Sequence, residues 1–355
     1  MSELPHPRIL EISPIPFIKA AFPDTTTFFS ARPDFIDRSS TDVVSLASML
    51  QIWRLAHQPG FDLIVCMPPF FAPWDPRWLQ RVLFNRRVLN GPPPLISVFG
   101  SQLLRGKLAA PLAVIDHEDT PYISKHNFHL LDSCRYYFKR ELPIDHWRLF
   151  LRTGHRDIPT PRFRNSMRHR SRIEKVQPIS LGLPLYTNSR YPDRPQPKKV
   201  DVFFSGVISQ SSTVRARGLN ELMALRDEGV TIDVSEERLP SPEFYARMAQ
   251  ARLVWSPEGL GWDCFRHYEA AACFSVPVMS RPTIDRHRPL VSGQHAFYYD
   301  VEPDGLTQTI RTALAEPTRL ESMATAAQAH VLANHSPQAL ASYVVETTLS
   351  KAPVR

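Results

Sequence analysis

The sequence predicts an α/β protein built as two domains, and three observations predict it. Strand-like and helix-like runs alternate through the first half. The alternation breaks in a proline- and arginine-rich stretch from Gly154 to about Pro197, and after it the alternation starts again. The length, 355 residues, suits two domains at roughly 100–200 residues each. Strands alternating with helices imply parallel sheets covered on both faces.

In the first half, Ile9–Ile12 is a short apolar run, and Thr41 and Asp42 suit the start of a helix over about Val43–Ala56. Phe61–Met67 reads as a buried strand. Asp75-Pro76 is a helix start, an N-cap followed by proline at the first position, for a helix toward Asn90-Gly91. Leu95–Phe99 and Leu112–Ile115 are further strands, and Cys134–Lys139 is another. In the second half, strands are expected at Val200–Phe204, Val230–Val234, Leu253–Ser256, Val276–Ser280 and Phe297–Tyr299. Helices are expected over Val214–Glu228, Ser241–Ala251, Phe265–Cys273, Gly305–Leu314, Arg319–Ala333 and Gln338–Leu349. The boundaries drawn from this pattern are 1–185 for the first domain, 186–335 for the second, and 336–355 for a last helix that returns to the first.

Composition narrows the function classes. Hydrophobic residues make up 43% and charged residues 22%, enough for two cores. The N-terminus has no basic segment leading into an apolar run, and no apolar stretch reaches about 18 residues. A cytoplasmic protein is expected. Cys66, Cys134, Cys264 and Cys273 form no C-x-x-C pair, which fits free thiols and argues against a structural zinc site. His126 and His129 are three apart with no clear third ligand, so no metal and no cofactor is assigned. The net charge of +7 is local: Arg148–Lys175 holds eight arginines and one lysine against Asp157 and Glu174, and carries that +7 alone. This stretch is either a solvated linker or a surface for an acidic acceptor or an anionic membrane, the latter placing the protein peripherally at the inner face. Nucleic-acid binding through it is a weaker reading. Tyr136, Tyr137 and Phe138 beside Lys139 and Arg140 fit a core strand better than a base-stacking platform.

The run with the most chemistry is Ser256–Ala270, where a strand ends and a helix begins. Ligands bind at the carboxyl ends of strands in such sheets. Gly259 and Gly261 allow close backbone approach, and a helix start near Cys264 offers free N–H groups to an anion. Arg266 and Glu269 are three apart on one helix face. The arginine suits a phosphate and the carboxylate suits a ribose diol. Equally, the two pair with each other on the surface. Gly259–Cys264 nearly matches the dinucleotide fingerprint, but cysteine replaces its third glycine. Ser205 and Gly206 close a strand ahead of a helix start bearing Arg215, a second candidate for a diphosphate. Asp116, His117, Glu118 and Asp119 follow a strand end and offer a general base for an acceptor hydroxyl, or a helix-capping loop.

These residues resemble the donor-binding segment of glycosyltransferases with the two-domain GT-B fold, above all the exostosin-type and group 1 families. The resemblance rests on Ser256-Pro257, Gly259, Gly261, Arg266, Glu269-Ala270 and Val276-Pro277-Val278, and extends over about Val200–His335. Phe203–Gly206 resembles the first donor-domain strand and turn. It implies two Rossmann-like domains facing across a cleft. It also implies a metal-independent transferase that takes a nucleotide-sugar donor and an unidentified glycan, lipid or protein acceptor. Group 1 members usually space two glutamates eight positions apart, whereas Glu258 and Glu269 are eleven apart. A non-catalytic nucleotide- or partner-binding protein on the same fold is the alternative.

Overall fold

A computed structural model of the chain describes residues 7–30, 46–69, 100–151, 153–155, 158–159, 167–185, 191–208, 213–237 and 239–350. The helix expected after Asp75-Pro76, the strand at Leu95–Phe99, the helix start at Thr41-Asp42 and most of the basic stretch lie outside these residues. The chain divides into two compact units, 1–179 with 341–355, and 180–340.

The first unit holds a parallel sheet of β1 (Ile9–Ser13), β2 (Thr26–Ser30), β3 (Leu63–Cys66), β4 (Leu112–Asp116), β5 (Tyr136–Lys139) and β8 (Val176–Pro178). Its order is β2-β1-β3-β4-β5-β8. A small antiparallel pair, β6 (Thr153–His155) and β7 (Ile158–Pro159), stands apart from it. The helices are α1 (Phe17–Ala21), α2 (Leu46–His57), α3 (Phe128–Ser133) and α4 (Met167–Ile173). All four residues of β3 and all five of β4 are buried, as expected of central strands covered on both faces. Leu10, Ile12, Ile64, Cys66, Val114 and Tyr137 join one core cluster with Ile52 of α2 and Leu130 of α3.

Part of the basic stretch is folded. Arg168 and Arg172 of α4 both pair with Asp132 at the end of α3, at 2.6 and 2.8 Å. Lys175 Nζ donates to the Leu131 and Asp132 carbonyls, where the helix leaves oxygens unbonded.

The second unit repeats the plan. Its parallel sheet comprises β9 (Val200–Ser205), β10 (Ile232–Ser235), β11 (Ala251–Trp255), β12 (Val276–Ser280) and β13 (Phe297–Tyr299), ordered β10-β9-β11-β12-β13. Around it lie α5 (Thr213–Asp227), α6 (Ser241–Ala249), α7 (Phe265–Ala272), α8 (Gly305–Leu314) and α9 (Pro317–His335). Alternation along the strands sorts the two faces. Val202, Phe204, Leu253, Trp255, Val276 and Val278 feed one cluster with α5 and α8, while Phe203 and Val254 turn to the other face with Tyr245 and Met248 of α6. Helix α10 (Pro337–Leu349) begins in this unit, and its residues from Ala341 onward belong to the first unit. There Tyr343 packs edge-on against Phe138 and donates to the Pro178 carbonyl.

In both sheets the strand order reverses direction between the first strand and the third. Loops that leave those two strands diverge and open a crevice at their carboxyl ends, the place where open α/β sheets take ligands. In the second unit that switch point lies between β9 and β11.

Candidate functional site

Two loops flank the β9/β11 switch point: Ser205–Ile208 after β9 and Ser256–Cys264 after β11. The glycine loop of the first candidate run, Glu258 to Gly261, and the second candidate, Ser205-Gly206, therefore lie side by side. Arg266 of α7 and Arg215 of α5 cross-link them. Arg266 Nη2 donates to the Ser205 carbonyl at 2.7 Å. Arg215 Nε donates to the Glu258 carbonyl at 3.0 Å, and its Nη1 to the Val207 carbonyl at 2.9 Å. The guanidinium groups pass close to both glycines. A Cβ on Gly206 would stand 2.7 Å from Arg266 Nη2, and one on Gly259 3.1 Å from Arg215 Nη2. The Gly259 N–H donates to the Gly261 carbonyl at 2.9 Å, which tightens the turn.

The surface pairing of Arg266 with Glu269 does not form; the two side chains part company. Arg266 lies over the Phe204 ring, 5.1 Å from its centroid. Its Nε and Nη1 are buried with no hydrogen-bond partner. Buried donors left unpaired cost about 1–3 kcal/mol each, more when charged. Burial lowers the pKa of Arg215, and the nearby Arg266 charge lowers it further. Two like charges held together at a strand-end crevice, with two Arg266 nitrogens unpaired, make a site that an anion would complete.

Glu269 points elsewhere. It is 7% exposed, and its Oε1 accepts a 2.7 Å hydrogen bond from the Tyr245 hydroxyl on α6. Burial raises its pKa, while Tyr245 and Arg266 pull it back down. One carboxylate oxygen is thus already engaged, a constraint that spacing along α7 alone does not reveal. Glu258 keeps its place at the site through its carbonyl; its Oε2 accepts from Ser280 Oγ at 3.4 Å.

Three neighbours were missed from the sequence. Asp263 Oδ2 accepts the Leu181 N–H and its Oδ1 the Tyr268 hydroxyl, both at 2.6 Å, which anchors the loop before α7. His267 bridges Ser256 Oγ, at 2.8 Å, and the Trp262 carbonyl, at 2.9 Å. Cys264 is the N-cap of α7. Burial raises its thiol, but His267 and Arg266 outweigh this and bring it down to about 7. A Ser-x-x-x-x-x-x-x-Cys-x-x-His spacing was the signal available, but only the loop's fold joins its members.

In the first unit the Asp116–Asp119 loop is tied down. Asp116 is buried at the end of β4, accepts from the Tyr137 hydroxyl at 2.7 Å, and pairs with Lys139 Nζ at 3.2 Å. Arg140 pairs with Asp119 and donates to the His117 carbonyl. The backbone N–H of Glu118 donates to Asp116 Oδ1 at 3.0 Å. His117 stands edge-on to Phe17, and its Nε2 is buried with no hydrogen-bond partner. Burial drives its pKa down to about 3, with Arg140 and Lys139 adding to the fall, so the ring is neutral.

Two parallel α/β units of matching strand order, the second with its candidate site at the switch point, define a GT-B protein. A family model described as glycosyl transferase-like matches residues 227–346, the segment that holds Tyr245, Arg266 and Glu269. The chain resembles the group 1 glycosyltransferases, as its sequence implies. Among solved structures, it is similar to a glycosyltransferase from Rickettsia africae, with TM-score 0.50 and 10% identity over 97% of this chain and 99% of that one. It is likewise similar to an alpha-glucosyltransferase in complex with UDP and a 13-mer DNA containing an HMU base, with TM-score 0.52 and 10% identity over 97% and 99%. Against TarM the TM-score is 0.44 at 9% identity, and the chain covers 55% of that protein, using 82% of itself. No curated protein matches. The matched segment and the fold are what the chain has in common with glycosyltransferases. Among the described residues, no helix is long and apolar enough to cross a membrane.

Proposed function

We propose that the chain is a glycosyltransferase that takes its sugar from a nucleotide-sugar donor held in the second unit. The observation that carries this is the Arg266 guanidinium, bonded to Ser205 through one nitrogen and unpaired at the other two, beside Arg215 at the β9/β11 switch point. A diphosphate supplies the acceptors those nitrogens lack. Glu269 takes the donor's ribose hydroxyls through the acceptor capacity that Tyr245 leaves open. As the sugar departs, negative charge grows on the diphosphate, and two fixed arginines stabilise it without a bound metal. The similar alpha-glucosyltransferase was solved with UDP, which makes UDP the first ligand to try. In the first unit, His117 and Glu118 are the base candidates for the acceptor hydroxyl, since Asp116 and Asp119 are committed to buried or half-buried pairs.

The test is a thermal-shift screen against sugar nucleotides followed by calorimetry, because a ligand of the folded state raises its melting point. UDP or another nucleoside diphosphate should bind the wild type and bind Arg266→Ala at least tenfold more weakly, at about 1.5–3 kcal/mol per charged hydrogen bond. Equal affinity in both would remove this reading. Transfer that persists in a chelator would support the metal-independent mechanism.

A second reading concerns where the enzyme works. Ile144, Trp147 and Met167 are exposed at 58, 46 and 75%, near exposed Arg148, Arg168 and Arg170. Apolar and aromatic side chains among arginines suit an anionic membrane surface. Sedimentation with phosphatidylglycerol vesicles, absent with phosphatidylcholine vesicles and weakened in Trp147→Ser, is the expected result.

A further inference from the structure

Glu269 is the acid of α7, yet the residue that fixes it sits 24 positions earlier on a different helix. Tyr245 on α6 is 6% exposed and Glu269 7%, and a 2.7 Å hydrogen bond joins them. Tyr245 is itself held on two sides. Its ring meets Tyr191 edge-on at 5.2 Å and Phe244 at 5.2 Å. The Tyr245 hydroxyl also meets Tyr191, and it donates to Glu269 Oε1.

We propose that Tyr245 is a positioning residue for donor binding: its hydroxyl fixes the Glu269 carboxylate in the orientation that receives the ribose hydroxyls. This rests on the reading of Glu269 as the ribose acceptor. The physical case has two parts. A carboxylate free to rotate within its site loses part of its hydrogen-bond energy to ordering, whereas one held by a fixed donor has that cost met on folding. Burial also favours the neutral acid, which accepts more weakly than the carboxylate. Three groups face this carboxyl: Tyr245 from α6, Arg266 on α7, and Cys273 at the end of α7, whose thiol burial holds well above its usual range. Tyr245 and Arg266 are the two that favour the ionised form. Burial and the Glu269 charge keep the Tyr245 phenol protonated, so it stays a donor throughout the working range.

The experiment is calorimetry at one pH with UDP and with its 2′,3′-dideoxy analogue. Tyr245→Phe, which removes one oxygen and keeps the ring, should bind UDP roughly fivefold to tenfold more weakly than wild type and bind the dideoxy analogue as wild type does. Glu269→Gln should bind UDP weakly, and adding Tyr245→Phe to it should cost nothing more. Equal weakening toward both ligands, or a loss that adds to that of Glu269→Gln, assigns Tyr245 to the fold and overturns the proposal. Wild-type UDP affinity in Tyr245→Phe with weak binding in Glu269→Gln also overturns it while leaving the ribose reading intact. Wild-type affinity in Glu269→Gln removes the ribose reading itself. Should Tyr245→Phe not fold, Tyr245→Leu carries the same two-ligand comparison.

Discussion

Arg266 Nη2 reaches over Gly206 to the carbonyl oxygen of Ser205, 2.7 Å away, and so ties helix α7 to the end of strand β9. The contact passes through the space a Cβ at position 206 would fill. Gly206→Ala should push the guanidinium aside, because its tip is the flexible partner in that clash. We expect nucleoside diphosphate affinity to fall about tenfold, with melting temperature within a few degrees of wild type, since no core contact is lost. Calorimetry and a thermal melt on the same sample check both halves.

The unpaired Nε and Nη1 of Arg266 and its closeness to Arg215 make a second, less intuitive prediction. Replacing Arg266 with Met removes two unsatisfied buried donors and a like-charge repulsion, and loses one hydrogen bond and the guanidinium's place over the Phe204 ring. The free protein should stay within about 1 kcal/mol of wild type in urea unfolding, or gain stability, while diphosphate binding falls at least tenfold. A destabilisation of several kcal/mol would show that Arg266 serves the fold rather than a ligand.

Histidines set the acid limit. His335 is 1% exposed, with Nδ1 bonded to Ser180 Oγ and Nε2 to the Arg288 carbonyl. Burial pulls its pKa down to about 3 and that of His287 to about 4, from an ordinary value near 6.5. Both are depressed bases, neutral in the fold and able to take a proton once unfolded. Their contribution is complete above pH 6.5 and declines as pH falls toward the folded-state values, at about 1.4 kcal/mol per pH unit for each ring. Urea midpoints should fall steadily from pH 6.5 to 5. In His335→Gln, which costs some stability at neutral pH, the slope should be shallower.

Much of this was legible in the sequence, and the failures have physical causes. Strand β12 and helix α8 stand where the sequence places them, because one is a buried run and the other carries an apolar stripe, and β13 stands where its three aromatic residues place it. Strand β2 was missed: Thr26-Thr27-Phe28-Phe29-Ser30 is short and largely polar, and it forms a strand because β1 pairs with it at the sheet edge. Helix α3 was missed because six residues, Phe128–Ser133, are too few to display a period. At the site, Arg266 and Glu269 could be read together from their spacing and the glycines before them. Tyr245 could not, since only the packing of α6 against α7 brings its hydroxyl to Glu269. The sequence also treats Asp116 to Asp119 as four equivalent titratable groups. Tertiary structure separates them, because Tyr137, Lys139 and Arg140 come from the neighbouring strand and its end.

That separation gives the last prediction. Asp116 and Lys139 are buried at 3 and 0% exposure and pair at 3.2 Å. Removing one partner strands the other charge in the core, which costs about 3–5 kcal/mol, more than the pair contributes when intact. Lys139→Met should therefore be strongly destabilised, and Asp116→Asn added to it should restore a large part of the loss, because the amide is neutral and still accepts from the Tyr137 hydroxyl. His117 behaves differently if it is the acceptor-side base. It is neutral, its Nε2 has no partner to lose, and its contact with Phe17 is edge-on. His117→Gln should leave UDP binding unchanged, since the donor site lies in the other unit, and should lower transfer by about 100-fold, the lower end of what a general base contributes. Equal loss of UDP binding and transfer would assign His117 to the fold, and would leave Glu118 as the base candidate of this loop.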